Sequence, residues 1–164
     1  MSLIQLTVLE DIFLKSFGVD QNTKGILMNL IDNVSLIYDS NILSYQELFN
    51  YFVTSQIENL KIWIIQKLAQ LVEKDYKQYP DEDKLLFRNA IFYIIDNKIN
   101  ELMSNPLLKQ KFSYLIIIWL KYDFPDSSNT FFNDFLGRVY KLKDGLMINL
   151  LGKIFIIHLI IIKI

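Results

Sequence analysis

The sequence predicts an all-α protein, an α-α superhelix of about three helix pairs followed by an unpaired C-terminal helix. Three observations carry that expectation. Apolar residues recur at three- and four-residue spacing along almost the whole chain, the period of a helix with one buried face. Strand-like alternation is sustained nowhere. Five glycines and three prolines in 164 residues leave few interruptions, and the prolines fall between the apolar stripes.

The elements follow in order. Leu3, Leu6, Val8, Leu9, Ile12 and Phe13 stripe a short first helix that Gly18 stops, since glycine tolerates the left-handed conformation at a helix end. Thr23 is placed to cap a helix over 24–38 with Ile26, Leu27, Leu30, Ile31, Val34 and Ile37 as its stripe. Ser44 and Glu47 have the spacing of a capping box, predicting a helix to Thr54 with Leu48, Phe49, Phe52 and Val53 inward. A long amphipathic helix over 57–78 turns Leu60, Trp63, Ile64, Leu68, Leu71 and Val72 inward and leaves Glu58, Lys61, Lys67 and Lys74 for solvent. Tyr79-Pro80 ends it. Asp81, Glu82 and Asp83 favour the N-terminus of the next helix, which runs to Met103. Asn105-Pro106 punctuates again, and a helix from there stops near Tyr122 or Asp123, because Pro125 pushes Phe124 out of helical geometry. Ser127 and Ser128 are candidate caps for one more helix.

Pairing neighbours gives units near 24–54, 57–103 and 106–143, and spacings of roughly 40 residues are those of two-helix solenoids of the HEAT or armadillo type. The domain reading is therefore a run of helical repeats over 1–145. Residues 146–164 are a strongly apolar terminal segment. It reads as the first helix of a fourth unit, as the product of a truncated or shifted reading frame, or as a membrane anchor of nearly spanning length interrupted by Asn149, Lys153, His158 and Lys163.

Composition narrows function mainly by exclusion. At 52 % hydrophobic and 21 % charged residues the chain is of the folding class. Seventeen basic against eighteen acidic residues give a net charge of −1, without the basic excess that drives non-specific nucleic-acid binding. There is no cysteine and one histidine, His158, so disulfides, thiolate metal sites and histidine-based triads lack their parts. Glycines 18, 25, 137, 145 and 152 are isolated and form no phosphate loop. The acidic run at Asp81 to Asp83 reads as capping charge before metal ligation, and Asp123 with Asp126 as connectors before an acid/base pair. Aromatic residues such as Phe49, Trp63, Phe87, Phe112, Trp119 and Phe135 fall on helical stripes and belong to the core before any base-stacking role. No enzyme, cofactor or metal is expected.

One stretch is more specific. Lys109 and Lys111 open a helix that closes on Asp123, Phe124 and Pro125. The next opens with Phe131 and Phe132 and continues through Asp134, Phe135 and Leu136. This pattern resembles the exportin-1-like segment of the importin-β superfamily, and most of all its tRNA exportin branch, exportin-T. Ser128 stands where that family usually has tryptophan. The likeness covers about residues 40–150, with the exportin-1-like region at 80–150. It implies the N-terminal HEAT repeats of a nuclear export receptor that binds the GTP-bound small GTPase Ran, carries tRNA from nucleus to cytoplasm and passes nuclear pore proteins. Arg88, Asn89, Asp134 and Arg138, polar positions on the presumed second helices of the pairs, are the candidate Ran contacts. The alternatives are another exportin-family receptor with protein cargo, and a small helical membrane-associated protein anchored by 146–164.

Overall fold

The computed structural model describes residues 2–16, 19–123 and 129–141, with side chains in the last stretch from 133 onward. The Gly18 stop, the Pro125 break, the Ser127 and Ser128 caps, the Phe131 and Phe132 side chains and the apolar segment 146–164 lie outside that description. Among the described residues the chain is all-α, without a strand. Its helices are α1 (Leu6–Lys15), α2 (Gln21–Asp39), α3 (Tyr45–Thr54), α4 (Glu58–Asp75), α5 (Asp81–Asn97), α6 (Ile99–Ser104), α7 (Pro106–Asp123) and α8 (Asn129–Lys141), with a 3₁₀ turn at Tyr76–Gln78 closing α4.

The helices form a superhelix of hairpins, and their order of packing corrects the predicted pairing by one helix. α4 packs along α7 and against α3, α6 packs on α7, α1 on α2, and α5 on both α3 and α8. The hairpins are therefore α1 with α2, α3 with α4, and α5–α6 with α7, while α8 joins the layer of α3 and α5. Equivalent helices run parallel. Tyr45 meets Asp83 and Phe49 meets Phe87 between α3 and α5, and Glu73 meets Tyr114 and Tyr76 meets Trp119 between α4 and α7. Positions climb together along each pair. The long-range hydrogen bonds of the described residues join partners 28 to 47 positions apart, about one hairpin along the chain. Contacts of that reach stack each unit on its neighbour.

Helix starts obey local chemistry, though not always with the expected residue. Asp20, not Thr23, caps α2, accepting from the Thr23 N–H at 3.0 Å, so the helix begins three residues early. The Ser44–Glu47 capping box does not form. Ser44 Oγ donates to the Tyr38 carbonyl at 2.8 Å, and the Glu47 carboxylate accepts from the Leu3 and Ile4 amides and from Tyr38 Oη. Long-range donors outbid the local one. Asn105 Oδ1 accepts from the Leu107 and Leu108 amides at 3.1 Å, with Pro106 as the first helical residue, which has no N–H to lose. The helix expected to reach Met103 is broken at Lys98 (φ −119°, ψ 9°), after which α6 sets off separately.

Two further expectations are overturned by packing. Lys61 and Lys67 are buried, at 1 % and 2 % exposure, because their ammonium groups reach acids on neighbouring units: Lys61 pairs with Glu101 and lies over the Phe52 ring, and Lys67 donates to Asp39 at 2.7 Å and Ser35 at 2.6 Å. Along α2 only Leu27, Val34 and Tyr38 are buried, and Ile26, Leu30 and Ile37 face outward.

A chain of aromatic rings crosses the stack. Phe87 lies 4.9 Å from Phe49, 5.3 Å from Tyr76 and 6.5 Å from Trp119, Tyr45 stacks on Tyr79 at 5.0 Å, and Trp119 meets Phe135 edge-on at 6.0 Å. Burial raises the hydroxyl pKa of Tyr38, Tyr45, Tyr76 and Tyr79, and hydrogen bonds from the first three to Glu47, Asp83 and Asp123 raise it further. Unfolded tyrosine ionises near pH 10. The stabilisation is whole below that pH and is lost as pH rises from there toward the folded values, by up to about 1.4 kcal/mol per pH unit for each tyrosine. Tyr79 Oη is buried and finds no partner among the described residues. Tyr79→Phe should therefore leave stability at pH 7 unchanged or higher and flatten the alkaline loss by one proton, measured by urea unfolding between pH 8 and 11.5. An unchanged slope would show that Tyr79 is solvated.

Candidate functional site

The four sequence-derived contact residues lie on α5 and α8, which pack side by side. Asn89 is exposed on α5 and shares a stripe with Tyr93 and Asp96, four and seven positions on. Asp134 is exposed and Arg138 half-buried on α8, one turn apart. Arg138 holds this face together: its Nε donates to the Asp96 carboxylate at 3.1 Å, its guanidinium lies 4.1 Å from the Phe92 ring centre, and Nη1 reaches the Asp134 carbonyl at 3.5 Å. Asp96, Asn133, Asp134, Gly137, Arg138 and Lys141 line a shallow depression of about 340 Å³. A methyl group added at Gly137 would meet nothing within 4 Å, so the depression is open above the helix.

Arg88 does not join them. The expectation of an outward residue fails because Asp123, the last residue of α7, is buried at 1 % exposure and needs a counter-charge. Arg88 Nε donates to both carboxylate oxygens at 3.0 and 3.1 Å and Nη2 to Oδ1 at 2.9 Å. Tyr76 Oη donates to the same oxygen and in turn accepts from Trp119 Nε1 at 3.1 Å. Arg88 is thereby a structural cation with only 18 % of its side chain exposed. Asp123 is buried and engaged by Arg88 and Tyr76. Asp126 lies outside the described residues.

The acidic run is also occupied. Asp83 accepts from Tyr45 Oη at 2.6 Å and from Gln46 Nε2 at 3.1 Å. Among the described residues no group of three metal-ligating side chains could hold an ion, and no helix is long and apolar enough to cross a membrane.

Sequence reasoning missed a second concavity. On the layer opposite α5 and α8, a groove of about 610 Å³ runs between α2, α4 and α7, lined chiefly by Asp32, Trp63, Gln66, Gln70, Gln110 and Lys111. Exposed glutamines on two separate helices read as solvated faces. Only the parallel placement of α7 beside α4 brings them to one surface.

No protein-family model, curated protein or solved structure matches the chain.

The Asp123 cluster makes a stability prediction that separates it from the surface face. Asp123→Ala should cost about 3–5 kcal/mol by removing the buried carboxylate that Arg88 and Tyr76 share. Arg88→Ala should cost a similar amount, and the double variant much less than the sum. Arg138→Ala, which removes a half-exposed ion pair and the contact with Phe92, should cost less, about 1–2 kcal/mol. Urea denaturation of the four variants measures all of these, and additive losses at Asp123 and Arg88 would break the assignment.

Proposed function

We propose that the chain is a partner-binding helical-repeat module of the exportin-T type, and that its α5/α8 face is where the GTP-bound form of Ran is held. The observation that carries a binding role is the face itself. Asp134 and Arg138 line a shallow polar depression between α5 and α8, with Asn89 exposed two turns before Asp96 on α5, and the Arg138–Asp96 pair fixes this face apart from the buried network that claims Arg88. The partner's identity rests on the resemblance of residues 109–140 alone. In this reading the chain supplies surface and not chemistry, and nucleotide belongs to the partner. A receptor of this kind takes tRNA through the nuclear pore and works between nucleus and cytoplasm.

Retention on immobilised Ran, loaded with a non-hydrolysable GTP analogue or with GDP, tests the proposal. The expected result is selective retention on the GTP form, lowered at least tenfold by Arg138→Glu and little changed by Lys24→Glu, a substitution on the distant α2. Equal or absent retention on both forms would remove Ran as the partner.

A further inference from the structure

The groove between α2, α4 and α7 is unlike the α5/α8 face in position and in chemistry. Gln66 and Gln70 stand one turn apart on α4, and Gln110 and Tyr114 one turn apart on the parallel α7, so two short ladders of polar side chains face each other across the groove. Four residues of helix advance about 6 Å. An extended polypeptide presents equivalent backbone groups every two residues, about 6.6 Å apart. A carboxamide both donates and accepts, so each glutamine can take one carbonyl and one N–H of such a strand. Neither Gln66, Gln70 nor Gln110 makes a side-chain hydrogen bond to another described residue, which leaves those groups available. Trp63, part-buried against Phe13 and Tyr38 at 5.6 and 6.0 Å between ring centres, gives the groove a rigid apolar floor.

Charge decides the class of occupant. Lys67 is neutralised by Asp39, and Glu73 already accepts from Tyr114 Oη at 3.2 Å while keeping its negative charge. What remains is Asp32 and Glu73 against Lys111. A phosphate backbone would meet two carboxylates and one uncompensated cation, whereas nucleic-acid grooves are lined with excess cation. We infer that this groove binds an extended peptide segment of a partner protein, its backbone held by Gln66, Gln70 and Gln110 and a basic side chain directed to Asp32.

A phage-displayed library of random twelve-residue peptides, selected on the full chain, tests this. Enriched sequences should share a lysine or arginine, and synthetic copies should bind in fluorescence anisotropy with an affinity lowered at least tenfold by the Gln66→Ala/Gln70→Ala pair. Both residues are exposed, so folding is expected to survive, and circular dichroism checks it. Asp32→Lys should abolish the basic preference, and Arg138→Glu should leave affinity unchanged, which keeps this result independent of any result with Ran. No enrichment, equal binding to the glutamine variant, or tighter binding of a single-stranded oligonucleotide than of any selected peptide would each overturn the inference.

Discussion

One buried carboxylate governs how the C-terminal half of the molecule is assembled. Asp123 ends α7, where the helix dipole already concentrates negative charge and an acid is least welcome. Burying it uncompensated would cost several kcal/mol. The fold answers with Arg88 from α5 and Tyr76 from the turn after α4, and through Tyr76 with Trp119 of α7 itself. Arg88 and Tyr76, 35 and 47 positions before Asp123, are thus fixed to a single group. α8 then takes its place through Phe135 on Trp119 and through α5. The α5/α8 face depends on this cluster for its shape while containing none of its members.

The same economy holds along the stack. Each hydrogen-bonded or ring contact between units reaches about one hairpin forward, and the buried lysines of α4 reach to either side, Lys67 back to α2 and Lys61 forward to α6. Such an arrangement leaves two long surfaces, one per layer, that differ in character. The layer of α3, α5 and α8 offers a shallow charged depression, and the layer of α2, α4 and α7 a larger amide-lined groove.

Helix existence was legible in the sequence because it depends on local period and on punctuation. Pro106 and the Asp81 to Asp83 run sit where they were expected. Partnership was not legible, because it depends on residues 28 to 47 positions away. Lys61 and Lys67 look like solvent lysines until Glu101 and Asp39 are brought beside them. Ser44 and Glu47 look like a cap until Tyr38 and the N-terminal amides compete for them. α2 carries a stripe wider than the surface that α1 and α4 offer, so half of it faces outward. For the candidate site, polarity alone placed Asn89 and Asp134 correctly on the surface and misplaced Arg88, whose buried counter-ion lies in another unit.

Parallel stacking of α4 and α7 has an electrical result. Two helix dipoles aligned side by side add, and the acids Asp75 and Asp123 sit at their joined C-terminal ends, with Arg88 as the buried counterweight. The negative partial charge of both helices therefore gathers at one end of the surface between them, and that end, where Asp75 and Asp123 lie, differs in charge from the other.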